Sequence, residues 1–144
     1  MPIIIDTNRA GDFSVPLFGK APLILAWINR KSVRVAVGGL LLRELMRTPL
    51  GNLILEWERS GLLVRIPCQR VDAKTHVVDQ IVLQSDDPHV LALALEAGAF
   101  LAYTEDEGLI KDLKNKNIII SKRKIIKTTT SDRNCAALLA RFGG

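Results

Sequence analysis

Continuous runs of β-branched residues alternate along this chain with stretches in which apolar positions recur every three or four residues. That alternation predicts strands joined by helices. Ile3-Ile4-Ile5 is the first such run, and it reads as a fully buried strand. It ends at Asp6-Thr7-Asn8, after which Arg9-Ala10-Gly11-Asp12 reads as a loop. Residues 22–29 form a helix pattern through Leu23, Ala26 and Trp27. Residues 32–37 alternate, with Val33, Val35 and Val37 to one side and Arg34 and Ala36 to the other, which predicts a strand ending at Gly38-Gly39. Helices are expected over 40–47 and 51–60, separated by Thr48-Pro49 and closed by Gly61. A short strand over 62–66 stops at Pro67, and a helix over 72–84 turns Val77, Val78, Ile81 and Val82 inward.

Asp86-Asp87-Pro88 opens a helix over 88–97, with an acid to cap it and proline in its first turn, and Gly98 ends it. A strand is expected over 100–103. Thr104 and Glu107 have the spacing of a capping box for a helix reaching about Asn115. A second β-branched run at 118–120 reads as a buried strand, Ile125-Ile126 as an edge strand, and 132–142 as a helix striped with Cys135, Leu138, Leu139 and Phe142. No repeat, low-complexity linker or composition break interrupts the pattern. Residues 1–144 therefore read as a single α/β domain whose mainly parallel sheet is covered on both faces.

Composition narrows the class. The chain has 144 residues, 48% of them hydrophobic, enough to bury a core. Its apolar runs stop well short of the ~18–20 residues of a membrane span, and no basic-then-apolar leader precedes Asp6. Cys68 and Cys135 stand alone without metal-like spacing, so reduced thiols in a cytoplasmic protein are expected rather than a bridge. Charge is unevenly spread. Lys111, Lys114, Lys116, Lys122, Arg123, Lys124 and Lys127 are opposed in that stretch by Asp112 alone, which accounts for the whole of the chain's +5. Such a segment suits a polyanion, or it is a solvated helix face and edge strand.

Four acids fall where a strand gives way to a helix or one turn into the helix beyond: Asp6, Glu44, Asp87 and Asp106. Each has a plain explanation as a cap, a first-turn acid or a surface residue. In a parallel sheet, however, the carboxyl ends of the strands share one edge, where ligands bind. Carboxylates gathered there repel unless a cation sits among them. A hard ion such as Mg²⁺ or Mn²⁺ accepts such oxygens and serves phosphoryl transfer. Acids together with a basic segment suggest metal-dependent hydrolysis of a nucleic acid. No glycine-rich phosphate loop supports a nucleotide-binding alternative.

The order I-I-I-D-T-N, L-L-R-E-L, S-D-D-P-H-V-L-A-L-A and A-Y-T-E-D-E-G-L-I resembles that of the PIN-domain ribonucleases, from Ile3 to about Ile120. The resemblance implies a three-layer α/β/α fold, with about five strands and the first in the middle. It implies Mg²⁺ or Mn²⁺ held by Asp6, Glu44, Asp87 and Asp106, with Asn8 and Thr104 supporting, and RNA cleaved by a metal-activated water. Asp6 and Asp106 match the direct ligands, while Glu44 and Asp87 act through waters. Lys111, Lys114, Lys122, Arg123 and Lys124 are the candidate RNA contacts. Small members of the family imply a toxin with a cognate antitoxin as partner, and a homodimer. The alternative is a PIN-like RNA- or protein-binding module with little catalysis. Two departures stand out. Arg9–Asp12 intervenes after Asp6 and adds an acid, and Gly108 stands where many relatives carry one, leaving Glu105 or Glu107 to compensate. Residues 121–144 match less well. His89, two residues after Asp87, leaves the helix in a different direction and reads as a structural or surface residue rather than a general base.

Overall fold

A computed structural model describes residues 2–81, 83–119 and 123–142. Five strands form one sheet: β1 (Ile3–Ile5), β2 (Val35–Gly38), β3 (Leu63–Ile66), β4 (Leu101–Tyr103) and β5 (Lys124–Ile126). Their order is β3-β2-β1-β4-β5 and every pairing is parallel, so β1 lies in the middle as expected. Its three isoleucines are fully buried, and burial of each side chain contributes roughly 1.5–3 kcal/mol.

Among the described residues eight helices accompany the sheet: α1 (Thr7–Ala10), α2 (Ala21–Asn29), α3 (Gly39–Met46), α4 (Leu50–Arg59), α5 (Cys68–Asp79), α6 (Pro88–Ala97), α7 (Glu107–Leu113) and α8 (Asp132–Phe142), with a 3₁₀ turn over Gly11–Phe13. From β1 the chain steps to one side of the sheet through β2 and β3, then crosses back to β4 and on to β5. Right-handed crossovers in opposite directions place their helices on opposite faces. One layer contains α2 packed on α8, and the other contains α5, α6 and α7 packed in sequence. No helix of the described residues is long and apolar enough to cross a membrane.

Three expectations are corrected by the fold. The strand expected over 32–37 is present as β2 but starts later, at Val35, and includes Gly38. Val35, Ala36, Val37 and Gly38 are all buried, because β2 is an interior strand with helices on both faces. The helix expected over 72–84 starts at Cys68, directly after Pro67, and ends at Asp79. Val71 and Val78 face the core, while Val77 and Ile81 are exposed and Val82 lies outside the described residues. The run at 118–120 is not a strand where it is described. Ile118 and Ile119 form part of a turn, Ile119 is buried, and Ile120 lies outside the described residues. Lys122 also lies outside them. The edge strand at Ile125-Ile126 is present as β5. Both cysteines are free thiols, and burial pushes the Cys135 thiol up to about 11.

Gly38-Gly39 lets α3 leave β2 without a linker. Gly39 has φ +56°, where a side chain would press on Val71. The abrupt exit sets Glu44, one and a half turns on, over the carboxyl ends of β1 and β2.

Candidate active site

The carboxyl edge of the sheet holds an open cleft of ≈ 340 Å³ lined by Asp6, Thr7, Asn8, Glu44, Asp87 and Asp106. All four candidate acids reach it, from four segments far apart in sequence. Asp6 follows β1 and Asp106 follows β4, and those strands are paired in register from Ile3–Leu101 to Ile5–Tyr103.

Asp6 is the innermost of them, 6% exposed. Its Oδ1 accepts a hydrogen bond from the Thr7 backbone at 2.8 Å, which makes it the cap of α1. Its Oδ2 accepts from the Thr104 hydroxyl at 2.7 Å. Burial pushes its carboxyl above the usual carboxylate range, against the pull of those two hydrogen bonds, and the charges of Asp106 and Asp87 push it further.

Thr104 has a different role from the one its sequence spacing gives it. The capping box with Glu107 is not formed. Asp106 is itself the cap of α7, its Oδ1 accepting from the Leu109 N–H at 3.1 Å. The Thr104 oxygen accepts from the Asp106 N–H at 3.0 Å while its proton goes to Asp6. One buried hydroxyl therefore holds both acids. Asp87 precedes α6, but its side chain makes no capping bond. Its backbone N–H donates to the Ser85 hydroxyl, and its carboxylate faces the cleft.

Two residues with no assigned part in the sequence pattern shape this wall. His89 is 8% exposed, and its Nε2 lies 2.8 Å from Glu44 Oε1, tying α6 to α3. Asp112, 1% exposed, accepts from the backbone N–H groups of Gln84 and Ser85, both at 2.9 Å. It clamps the loop that leads to Asp87. Gly108 belongs to the same packing: a Cβ there would collide with the Gln84 carbonyl oxygen. The space in which relatives of the resembled family carry an acid is filled here by backbone. Neither neighbour compensates. Glu105 accepts from the Thr128 N–H and hydroxyl, and Glu107 pairs with Lys127 at 3.0 Å.

The intervening Arg9–Asp12 segment leaves the cleft alone. Asp12 is 7% exposed and accepts from the Tyr103 hydroxyl at 2.7 Å, and Arg9 lies 3.4 Å from the same carboxylate oxygen. The expected loop is instead the end of α1 followed by the 3₁₀ turn, and Asp12 anchors that turn to β4 and adds no acid to the site.

Among the described residues, no group of three or more His, Cys, Asp or Glu side chains is arranged to hold a metal ion. Mg²⁺ keeps several waters and needs one or two direct carboxylates, so the donor set suits a hydrated ion. The Thr7 hydroxyl oxygen, buried beside Asp6, has no hydrogen-bond partner, and a ligand or its water would supply one.

The basic segment lies elsewhere. Lys124 pairs with Leu101 at the start of β4, and Lys114 caps the far end of α7, so both stand at the amino edge of the sheet. Lys111 is exposed on α7. Arg123 is 7% exposed, with its guanidinium 4.4 Å over the Phe100 ring. The cleft and these cations occupy opposite ends of β4.

Comparison of the chain with family models, with curated proteins and with solved structures found no match.

Proposed function

We propose that this chain is a divalent-metal-dependent endoribonuclease of the PIN-domain type. The reading is carried by one observation: four acids from separate segments line a single cleft at the carboxyl edge of a parallel sheet. Asp6 and Asp106 would hold Mg²⁺ or Mn²⁺, which supplies charge stabilisation for the phosphoryl group and a more acidic water. Glu44, braced by His89, and Asp87, held by the clamped loop, orient the attacking water through hydrogen bonds. As water adds to phosphorus it gives up a proton, one P–O ester bond breaks, and the departing alkoxide oxygen takes up a proton to leave as a hydroxyl. The cleft is anionic, so RNA approaches it only when a cation offsets the carboxylates.

Incubation of the protein with a single-stranded RNA, with Mn²⁺ or with EDTA, tests the proposal. Endonucleolytic fragments are expected with Mn²⁺ and none with EDTA. Equal cleavage in both, or none in either, would sink it.

His89 is a positioning residue through Glu44. His89→Ala is expected to lower kcat about tenfold to a hundredfold, the range typical of partners that orient a ligand. His89→Gln should recover part of the loss, because its amide can still donate to Glu44. Steady-state rates at saturating RNA check both.

The filling of the Gly108 site favours a second reading, an RNA- or protein-binding module with weak catalysis. It predicts RNA binding without fragments at any Mn²⁺ concentration.

A further inference from the structure

The amino edge of the sheet, remote from the acids, brings together cations and aromatic rings. α2 and α8 start side by side at the carboxyl edge, where Lys20 and Asp132 pair at 2.7 Å. Both run towards the opposite edge, so their last turns arrive together. There Arg30 lies 4.6 Å over the Trp27 ring, and Arg141 lies 5.2 Å from the centre of Phe142. Lys124 of β5 approaches the same Phe142 ring at 5.9 Å. Beside them a cleft of ≈ 310 Å³ is lined by Lys114, Arg123, Lys124, Ile125 and Leu138. Lys114, Lys124 and Arg141 are exposed, and none forms an ion pair among the described residues. The only acid of the 111–127 stretch that could neutralise them, Asp112, is buried on the loop clamp.

We infer that this edge is a second binding surface, which takes single-stranded RNA on the side of the sheet opposite the acidic cleft. Unpaired cations suit phosphates, and aromatic rings bearing cations suit exposed bases, the combination by which single strands are held without sequence readout. A membrane surface or an acidic protein would use the charges but not the rings. The inference takes from the proposed function only its class of ligand. RNA held here would be anchored at a distance from the cleft, so long strands are retained while the acids repel.

The test is fluorescence anisotropy with a labelled 20-nucleotide single-stranded RNA, in EDTA so that nothing is cleaved. Lys114→Glu with Lys124→Glu is compared with the wild type and with Arg47→Glu plus Arg59→Glu. The latter pair makes the same charge change at exposed positions that close α3 and α4, helices packed on β2 and β3 rather than on β5. The first variant is expected to weaken binding by tenfold or more. It should also flatten the dependence of log Kd on log salt by about 1.4, the amount for two phosphate contacts to a single strand. The control pair should weaken binding less and keep the slope. Equal loss in the two variants, unchanged binding, or wild-type binding to phosphatidylserine vesicles but not to RNA would overturn the inference. Absence of cleavage with Mn²⁺, with this pattern intact, would overturn the ribonuclease reading alone.

Discussion

Asp6→Asn is expected to lower RNA hydrolysis steeply and, in metal-free buffer near neutral pH, to raise the melting temperature. The two effects have one origin. Asp6 is buried beside Asp87 and Asp106, and its carboxyl is held above its ordinary range chiefly by burial. A group whose folded pKa is raised binds its proton more tightly folded than unfolded. Stability therefore falls as pH rises from the ordinary Asp value through the raised one, and the penalty remains in full above it. Asparagine carries no charge at any of these pH values. The variant should melt a few degrees above the wild type at pH 7, and the gap should close as pH falls towards 4. Mn²⁺ should raise the wild-type melting temperature and leave that of the variant nearly unchanged, because a ligand stabilises only the state that binds it. Activity should fall by about 10²- to 10³-fold, the usual loss when one group that stabilises transition-state charge is removed, and further with Asp106→Asn added. Differential scanning fluorimetry across pH, with and without Mn²⁺, checks the stability half. A variant less stable than the wild type at pH 7 without metal, yet equally responsive to Mn²⁺, would refute it.

Asp112→Ala is expected to cost about 2–4 kcal/mol of stability, because the Gln84 and Ser85 N–H groups lose charge-assisted hydrogen bonds of about 1.5–3 kcal/mol each, with partial recovery through solvent. The effect should reach the cleft. The 84–87 loop carries Asp87, so catalysis should fall even at temperatures where the variant remains folded. Asp112→Asn keeps one acceptor and should fall between the two. Urea denaturation at constant m-value gives the stability, and saturating kcat at 15 °C gives the functional loss. An Asp112→Ala protein with normal kcat would show that the clamp does not set the position of Asp87.

The architecture was legible wherever local pattern and burial agree. Ile3-Ile4-Ile5 is buried because every neighbour of a central strand is apolar, and α6 runs over Pro88–Ala97 because proline, periodicity and Gly98 mark it at both ends. The reading failed where a residue serves two neighbours at once. Pro67 ends β3 and also precedes α5, so the helix begins four residues before its pattern is clear. The four cleft acids could be chosen because parallel topology fixes where strand ends lie. Their supports could not. His89 meets Glu44 across 45 positions and Asp112 meets Ser85 across 27. In the sequence, Asp112 is one acid in a basic stretch. Its burial follows from the close approach that Gly108 permits, which no local pattern records.

Among the described residues neither margin of the sheet pairs with a further strand, and each carries one cation at its rim: Arg65 in β3 and Lys124 in β5. An uncovered strand offers its backbone to any other extended chain, and a charge there discourages stacking into aggregates. β5 is three residues long and otherwise reads Ile125-Ile126. Lys124 therefore guards solubility wherever the protein is concentrated. An apolar residue in its place would leave a sticky rim, whereas glutamate reverses the sign and keeps copies of the protein apart.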